Sequence, residues 1–420
     1  MRHYIAVSIA ISIFAVPWLA GIFPEQAGYI IAGIRDLGNQ LAAVVTHNPR
    51  TIAQLQSKYA VDAENGKSKI RVLVAPGHEP NYGGAEYGNL KEREMDVQLA
   101  NELARFLGNN SKYEAMVPRT DDSWNPIFSS YFKNSWDGII AWQKDYKEES
   151  VRRISASGAS EPVRKVIHNN VPADVAYRLY GITKWSNENA IDIAIHVHFN
   201  DYPGHPWKVP GEYSGFAIYT PATQYTNSTT TRAVSQAVFN RLKKYNAVSD
   251  FPGESSGIVD EHDLIAIGAN DTADAASLLI EYGYIYEPQF TDPDARDMAI
   301  RDLAYQTYLG LEDFFNQGKT TLAVSAYDTL ILPYTWHMTT LYDTATSVGG
   351  VYALQTALIV DGVYPPGNRS KNDCPRTGRI GPCTKAAIES FQRKYGLDST
   401  GSVGPRTVEK LNGLYSVKTI

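Results

Sequence analysis

The chain has 420 residues, a formal net charge of −6 and 43% hydrophobic residues. That length is enough for two domains and a sizeable core, while the acidic balance lacks the basic footprint a dedicated nucleic-acid binder needs. Tyrosine is plentiful, 27 residues against 13 phenylalanines, which suits exposed aromatic surfaces for carbohydrate or wall polymers.

The N-terminus carries Arg2 and then an almost unbroken apolar run from Tyr4 to Phe23. A positive residue followed by a run of nearly bilayer length reads as an export signal or a retained membrane anchor over residues 1–23. The Trp18-Leu19-Ala20 step is bulky where a cleavage site prefers small residues. Residues 24–68 form a juxtamembrane segment, with Ile30, Ile31, Ile34, Leu37, Leu41, Val44 and Val45 at helical spacing. No titratable residues converge in it.

From residue 69 to 317 strand and helix patterns alternate, which predicts an α/β domain built on a mostly parallel twisted sheet flanked by helices. The first strand, Val72 to Val74, breaks at Pro76-Gly77 and delivers His78 to the loop beyond its carboxyl end, where open α/β sheets gather their chemistry. A Gly-rich loop leads into a helix. On a wheel of about 100° per residue, Met95, Asp96, Leu99, Leu103, Phe106 and Leu107 fall on the same face as Glu92, with Glu94, Gln98, Asn101 and Arg105 opposite. A carboxylate aimed inward beside a loop histidine needs a partner, and a metal would satisfy it.

A second strand, Tyr113 to Val117, ends in Arg119 and Asp122. The charged stretch 142–168 reads as a solvated helix and loop. A helix from Ala173 to Trp185 precedes the strand Ile191 to Val197, then come a strand at Gly215 to Tyr219, a helix at Arg232 to Lys244, a strand at Ser277 to Ile280 and a closing helix at Asp294 to Phe315. Residues 318–349 are poorly periodic and read as a linker. Beyond it, over 350–415, Val351 to Val360, Thr384 to Tyr395 and Thr407 to Leu414 make a small three-helix domain. Cys374 and Cys383 are the two cysteines, and in an exported chain they read as a disulfide worth roughly 2–3 kcal/mol for so short a loop.

Four polar positions therefore gather at one sheet edge: His78, Glu92, a histidine of the IHVHFND strand, and Glu281. Two histidines and a carboxylate with one open position make a catalytic zinc arrangement, the fourth residue supplying a base. His196 and His198 point to the same strand face, so alternation does not separate them. His198, nearer the strand's end, is taken as the ligand, and His196 as a residue beside the ligands or facing substrate. Neither an HExxH nor a paired CxxC motif is present.

These motifs carry a resemblance. APGHEP, KEREMDVQLA, IHVHFND and LIEYGYI are similar, in order, to the strand ending in PGH, the Glu-led helix, the IHxN strand and the late VExGF strand of the zinc-dependent N-acetylmuramoyl-L-alanine amidases of the amidase-3 family. The resemblance implies His78, Glu92 and His198 as Zn2+ ligands and Glu281 as the catalytic glutamate. It also places Asn200 and Arg119 with Asp122 at family positions near the site, and Asp192 at the acidic position before the third strand. Ala75, Glu79-Pro80 and His196 depart from the family's usual aspartate, glycines and serine. Residues 350–415 resemble the small helical peptidoglycan-binding domain, with GxxGP-like turns at Gly378 to Pro382 and Gly401 to Pro405 and Phe391-Gln392 mid-helix. The implied activity is hydrolysis of the amide between N-acetylmuramic acid and L-alanine in peptidoglycan, by an enzyme of the cell envelope. The alternatives are a non-catalytic peptidoglycan-binding protein and a zinc peptidase acting within the stem peptide.

Overall fold

The structure is a computed structural model, and it describes residues 49–61, 69–157, 172–202, 205–262, 264–266, 273–316, 327–337 and 348–417. The apolar run of residues 4–23 and the helical spacing of 30–45 lie outside the described residues. No helix among those described is long and apolar enough to cross a membrane.

The larger body begins with a helix, α1 (Ile52–Ala60), that the sequence pattern did not suggest. Its start is a capping box: Gln54 N–H donates to Thr51 Oγ1 and Thr51 N–H donates to Gln54 Oε1, which satisfies amide groups that a helix start leaves unpaired. Leu55 fixes it to the core. Then follow β1 (Ile70–Pro76), the short pair β2 (Glu86–Tyr87) and β3 (Leu90–Lys91), and α2 (Glu92–Gly108). Next come β4 (Tyr113–Met116), the long α3 (Pro126–Ser157), α4 (Ala173–Glu188), β5 (Ile193–Asn200) and β6 (Ala217–Pro221). The body closes with α5 (Ser228–Tyr245), β7 (Ile258–Glu261), β8 (Ala276–Tyr284), α6 (Pro288–Thr291) and α7 (Pro293–Phe315).

Six strands form one sheet in the order β4-β1-β5-β8-β6-β7. All neighbours run parallel except β6 against β8. Both faces are covered, as a largely parallel sheet requires. Val72, Val74, Ile195 and Val197 pack toward α2 with Met95, Leu99 and Leu103, whereas Leu73, Ala75 and Ala194 pack against Phe128, Phe132 and Trp185 of α3 and α4. The first half of α3 thus buries one face, through Phe128, Phe132 and Ile139, and leaves the other to solvent. Part of the expected solvated stretch is its continuation up to Ser157, and residues 158–171 are outside the description.

Three further helices, α8 (Gly349–Val360), α9 (Pro382–Lys394) and α10 (Pro405–Tyr415), form the C-terminal domain. Cys374 and Cys383 form a disulfide with Cα atoms 5.8 Å apart. This domain is docked on the larger body: Val351, Leu354, Phe391 and Leu411 belong to the same apolar cluster as the sheet core. Within the stretch read as a linker, residues 327–337 are packed, with Trp336 buried and its Nε1–H donating to the Gly350 carbonyl at 3.0 Å. The reason lies in apolar side chains, Ile331, Leu332 and Trp336, too sparse to show a period but each fully used.

Candidate metal centre

β1 and β5 lie side by side, with Pro76 opposite Val197, so the chain leaving β1 passes directly over the end of β5. Gly77 N–H continues the ladder by donating to the Val197 carbonyl at 2.8 Å. The ring of His198 then lies where a side chain at residue 77 would stand: a Cβ there would come within 2.2 Å of His198 Cε1. Glycine is required for that reason. The next residue, His78, takes a left-handed φ of 63°, uncommon for a residue with a side chain, which turns its imidazole back over the sheet edge.

Two contacts hold that turn. Glu79 N–H donates to the Tyr82 carbonyl at 3.1 Å. The Glu79 carboxylate takes both arms of the Arg178 guanidinium from α4, the Nη2–Oε2 arm measuring 2.9 Å. The Glu79-Pro80 departure noted above therefore comes with a bidentate clamp, the stronger kind of ion pair.

Glu92 opens α2, where the unpaired amides and helix dipole favour an anion. Its Oε1 lies 2.9 Å from His78 Nε2 and 3.0 Å from His198 Nδ1, and accepts from the Phe199 amide at 3.2 Å. Oε2 accepts from the Ala85 amide at 2.7 Å. Burial alone would raise this carboxyl's pKa, but the two imidazoles beside it hold it below the usual carboxylate range. Burial pushes the His198 pKa down, aided by neighbouring His78 and Arg119, which favours the neutral ring that a metal ligand must have.

One turn along α2, Asp96 joins them. One ligating atom from each of His78, Glu92, Asp96 and His198 falls within 4.8 Å of the other three. The helical wheel had put Asp96 on the inward face, but no role followed from that. Asp96 is fully buried and neither of its oxygens accepts a hydrogen bond. A buried carboxylate without donors is costly, so these residues fit a cation.

Glu281 stands on β8 directly opposite His198 on β5. Burial, with Glu92 and Glu254 nearby, raises its pKa well above the ordinary carboxyl value. Its Oε2 is buried without a partner.

The other residues singled out in the sequence are placed as follows. The Arg119 guanidinium is buried behind the loop, where Nη2 donates to the carbonyls of Gly77 and Arg93 and so braces the backbone next to His78 and Glu92. Asn200 donates to Glu254 Oε1 at 2.7 Å. Glu254 also accepts from the hydroxyls of Tyr219 and Tyr284, at 2.6 and 3.2 Å, and is a buried carboxylate that no sequence pattern announced. His196 is not brought into the group: it is buried opposite Ala75 and Leu279, and burial with His198 nearby lowers its pKa to about 3. Asp192 lies at the other end of β5, pairing with Arg50 and Lys58 and accepting from the Arg71 amide at 2.8 Å. Asp122 offers only its backbone carbonyl, to Asn81 at 3.3 Å.

Two family models match the chain. Residues 72–312, more than half of it, match the N-acetylmuramoyl-L-alanine amidase family, and residues 347–411 match a peptidoglycan binding domain. No curated protein matches. Among similar solved structures, the N-acetylmuramyl-L-alanine amidase Ami1 of Mycobacterium smegmatis is 12% identical, covering 60% of this chain and 100% of its own, with a TM-score of 0.38. The CwlD amidase of Clostridioides difficile, in complex with the GerS lipoprotein, is 13% identical over 59% of this chain and 100% of its own, with a TM-score of 0.35. The catalytic domain of CwlV from Bacillus (Paenibacillus) polymyxa var. colistinus is 16% identical over 59% of this chain and 98% of its own, with a TM-score of 0.34.

Proposed function

The chain belongs to the N-acetylmuramoyl-L-alanine amidase family, and we propose that it works with zinc held by His78, Glu92 and His198 and with Glu281 as the general base. Its reaction is hydrolysis of the amide between N-acetylmuramic acid and L-alanine in peptidoglycan, and its C-terminal domain binds peptidoglycan. The single observation that carries the assignment of residues is the convergence of the His78, Glu92 and His198 donor atoms from three separate elements on one point. A bound zinc ion would supply Lewis acidity toward the scissile carbonyl and bring the pKa of a water toward about 7.

The chain's own residues do the rest. Glu281 takes the proton of the attacking water and later gives it to the departing L-alanine amine. Arg119, through the Gly77 and Arg93 carbonyls, keeps His78 and Glu92 in register. Tyr82 and Trp207 are exposed on the loops that leave β1 and β5, and Tyr87 O–H donates to the Lys208 carbonyl at 3.0 Å, tying those loops together beside the ligands. Aromatic faces so placed suit stacking on sugar rings. The C-terminal domain holds the enzyme on an insoluble polymer, which raises local substrate concentration. The work is done in the cell envelope, where peptidoglycan is.

The test is Glu281→Gln, assayed by peptide release from purified cell wall together with metal content. Loss of release with metal retained supports the assignment. Undiminished release removes Glu281 from the mechanism. Mass spectrometry of the wild-type products should find free L-alanine amino termini.

A further inference from the structure

We propose that Asp96 is a fourth protein donor to the metal, so that two imidazoles and two carboxylates would hold the ion and the attacking water would enter as a fifth donor. This rests on the metal-hydrolase reading above and extends it. Asp96 lies one helical turn beyond Glu92, on the face of α2 turned toward the sheet edge, and is 0% exposed. Both of its oxygens are buried and neither accepts a hydrogen bond. The neighbouring carboxylates differ: Glu92 is used by two rings and two amides and Glu254 by Asn200 and two tyrosines, while Glu281, also with a buried unpartnered oxygen, lies outside the group of converging donor atoms.

Distance favours the ion. Donors to one zinc sit about 2.0–2.2 Å from it, so any two lie within about 4.4 Å of each other. The four donor atoms, Asp96 included, lie within 4.8 Å of one another, close to that limit before any ion draws them in. Glu281 is not part of that group and stays free to move a proton. Charge agrees. Two neutral imidazoles and Glu92 leave a divalent ion one positive charge in a buried place, and Asp96 cancels it.

The competitor for Asp96 is Arg119. Its Nε is buried and unpartnered, while its other nitrogens are committed to the carbonyls of Gly77, Arg93 and Thr120. A guanidinium–carboxylate pair would satisfy both groups without any metal, but it would not account for the closeness of Asp96 to both histidines.

The experiment uses the full chain. In a crystal of the zinc-loaded wild type, an Asp96 oxygen within about 2.2 Å of the ion supports the proposal, whereas a carboxylate turned onto Arg119 overturns it. In parallel, Asp96→Asn and Asp96→Cys are stripped of metal, titrated with zinc against a chromophoric chelator, and loaded with cobalt. Asp96→Asn should bind zinc at least about 100-fold more weakly with an altered cobalt visible spectrum. Asp96→Cys should gain a thiolate-to-cobalt charge-transfer band. A folded Asp96→Asn with unchanged affinity and spectrum, or a folded Asp96→Cys without the new band, refutes the fourth ligand. Should the asparagine variant not fold, the cysteine variant and the wild-type crystal decide. His198→Ala separates the two readings: if the wild type binds zinc and His198→Ala does not, the metal centre stands whatever Asp96 does. A wild type that binds no divalent ion overturns both.

Discussion

Replacing Arg376 by methionine should loosen the C-terminal domain from the catalytic body. Arg376 and Asp302 are 1% and 0% exposed at their side chains, and their Nη2–Oδ2 distance is 2.8 Å. The same guanidinium donates to Thr356 Oγ1 at 2.9 Å and Asn246 Oδ1 at 3.1 Å, and lies 4.4 Å from the Tyr352 ring centroid. It thus joins α5 and α7 of the body to α8. Removing one member of a buried ion pair costs about 3–5 kcal/mol, because a charge is left without its partner. Here Asp302 keeps Thr329 Oγ1–H, the Leu330 amide and Gln306 Nε2–H as donors, which moderates the loss. The lost contact with Tyr352 adds about 0.5–2 kcal/mol. We therefore expect about 3–5 kcal/mol overall, read as a lower urea midpoint by far-UV circular dichroism and tryptophan fluorescence. Because the two domains share one apolar cluster, the wild type should unfold in one transition and the variant should split toward two. In a double-mutant cycle, Arg376→Met with Asp302→Leu should recover part of the loss, since two matched apolar side chains need no desolvated charge. A loss under about 1 kcal/mol, or strictly additive effects, would refute the picture of a buried electrostatic lock.

Three other outcomes follow from the geometry. Gly77→Ala should abolish zinc binding in a titration while circular dichroism stays near native, since its Cβ would sit 2.2 Å from the His198 ring; retained affinity would contradict the close approach. Glu287 is raised in pKa by burial. The folded state therefore holds its proton longer than the unfolded chain, and stability falls as pH rises from about 4.5 toward the folded value, by at most about 1.4 kcal/mol per pH unit. Glu287→Gln should remove that decline: its carbonyl can still accept from the Gly215 and Tyr284 amides, and the buried, unpartnered Gln289 Oε1 can turn to receive the new amide. Urea titrations at pH 5 and pH 7 should show the variant gaining on the wild type, and a variant that falls further behind at pH 7 rules the argument out. Replacing both Cys374 and Cys383 by serine should cost roughly 2–3 kcal/mol from the short loop they close, and an unchanged midpoint would mean the helices alone hold that turn.

The docked C-terminal domain changes how wall binding relates to catalysis. The sequence suggests a module on a linker, one whose deletion would weaken binding to the wall more than it reduces hydrolysis of a soluble fragment. In the folded chain, deletion would expose the face of α7 that packs against α8, where Met298 meets Gly349. Substitutions on the exposed surface of α8 to α10 are therefore the cleaner way to separate binding from hydrolysis.

Much of the site is legible along the chain because local rules carry it. A strand broken by Pro-Gly places His78, a 3.6-residue period turns Glu92 inward, and a strand's end exposes His198. Helix and strand positions follow from the same periods, which report the face a side chain buries. Other features depend on pairings that no local period encodes. Asp96 shares the inward face with plain core residues, and only the convergence of three elements marks it as different. Glu254 sits in an irregular turn, and its importance comes from Asn200, Tyr219 and Tyr284 meeting it from separate strands. The antiparallel setting of β6 depends on the path of its connections. Arg376 and Asp302, 74 positions apart, become partners only when two domains pack. Sequence by itself determined which faces are buried and where the chain turns, since those are set by near neighbours. Tertiary structure decided which buried charges share a partner, because that depends on what is brought within a few ångströms after the chain has folded.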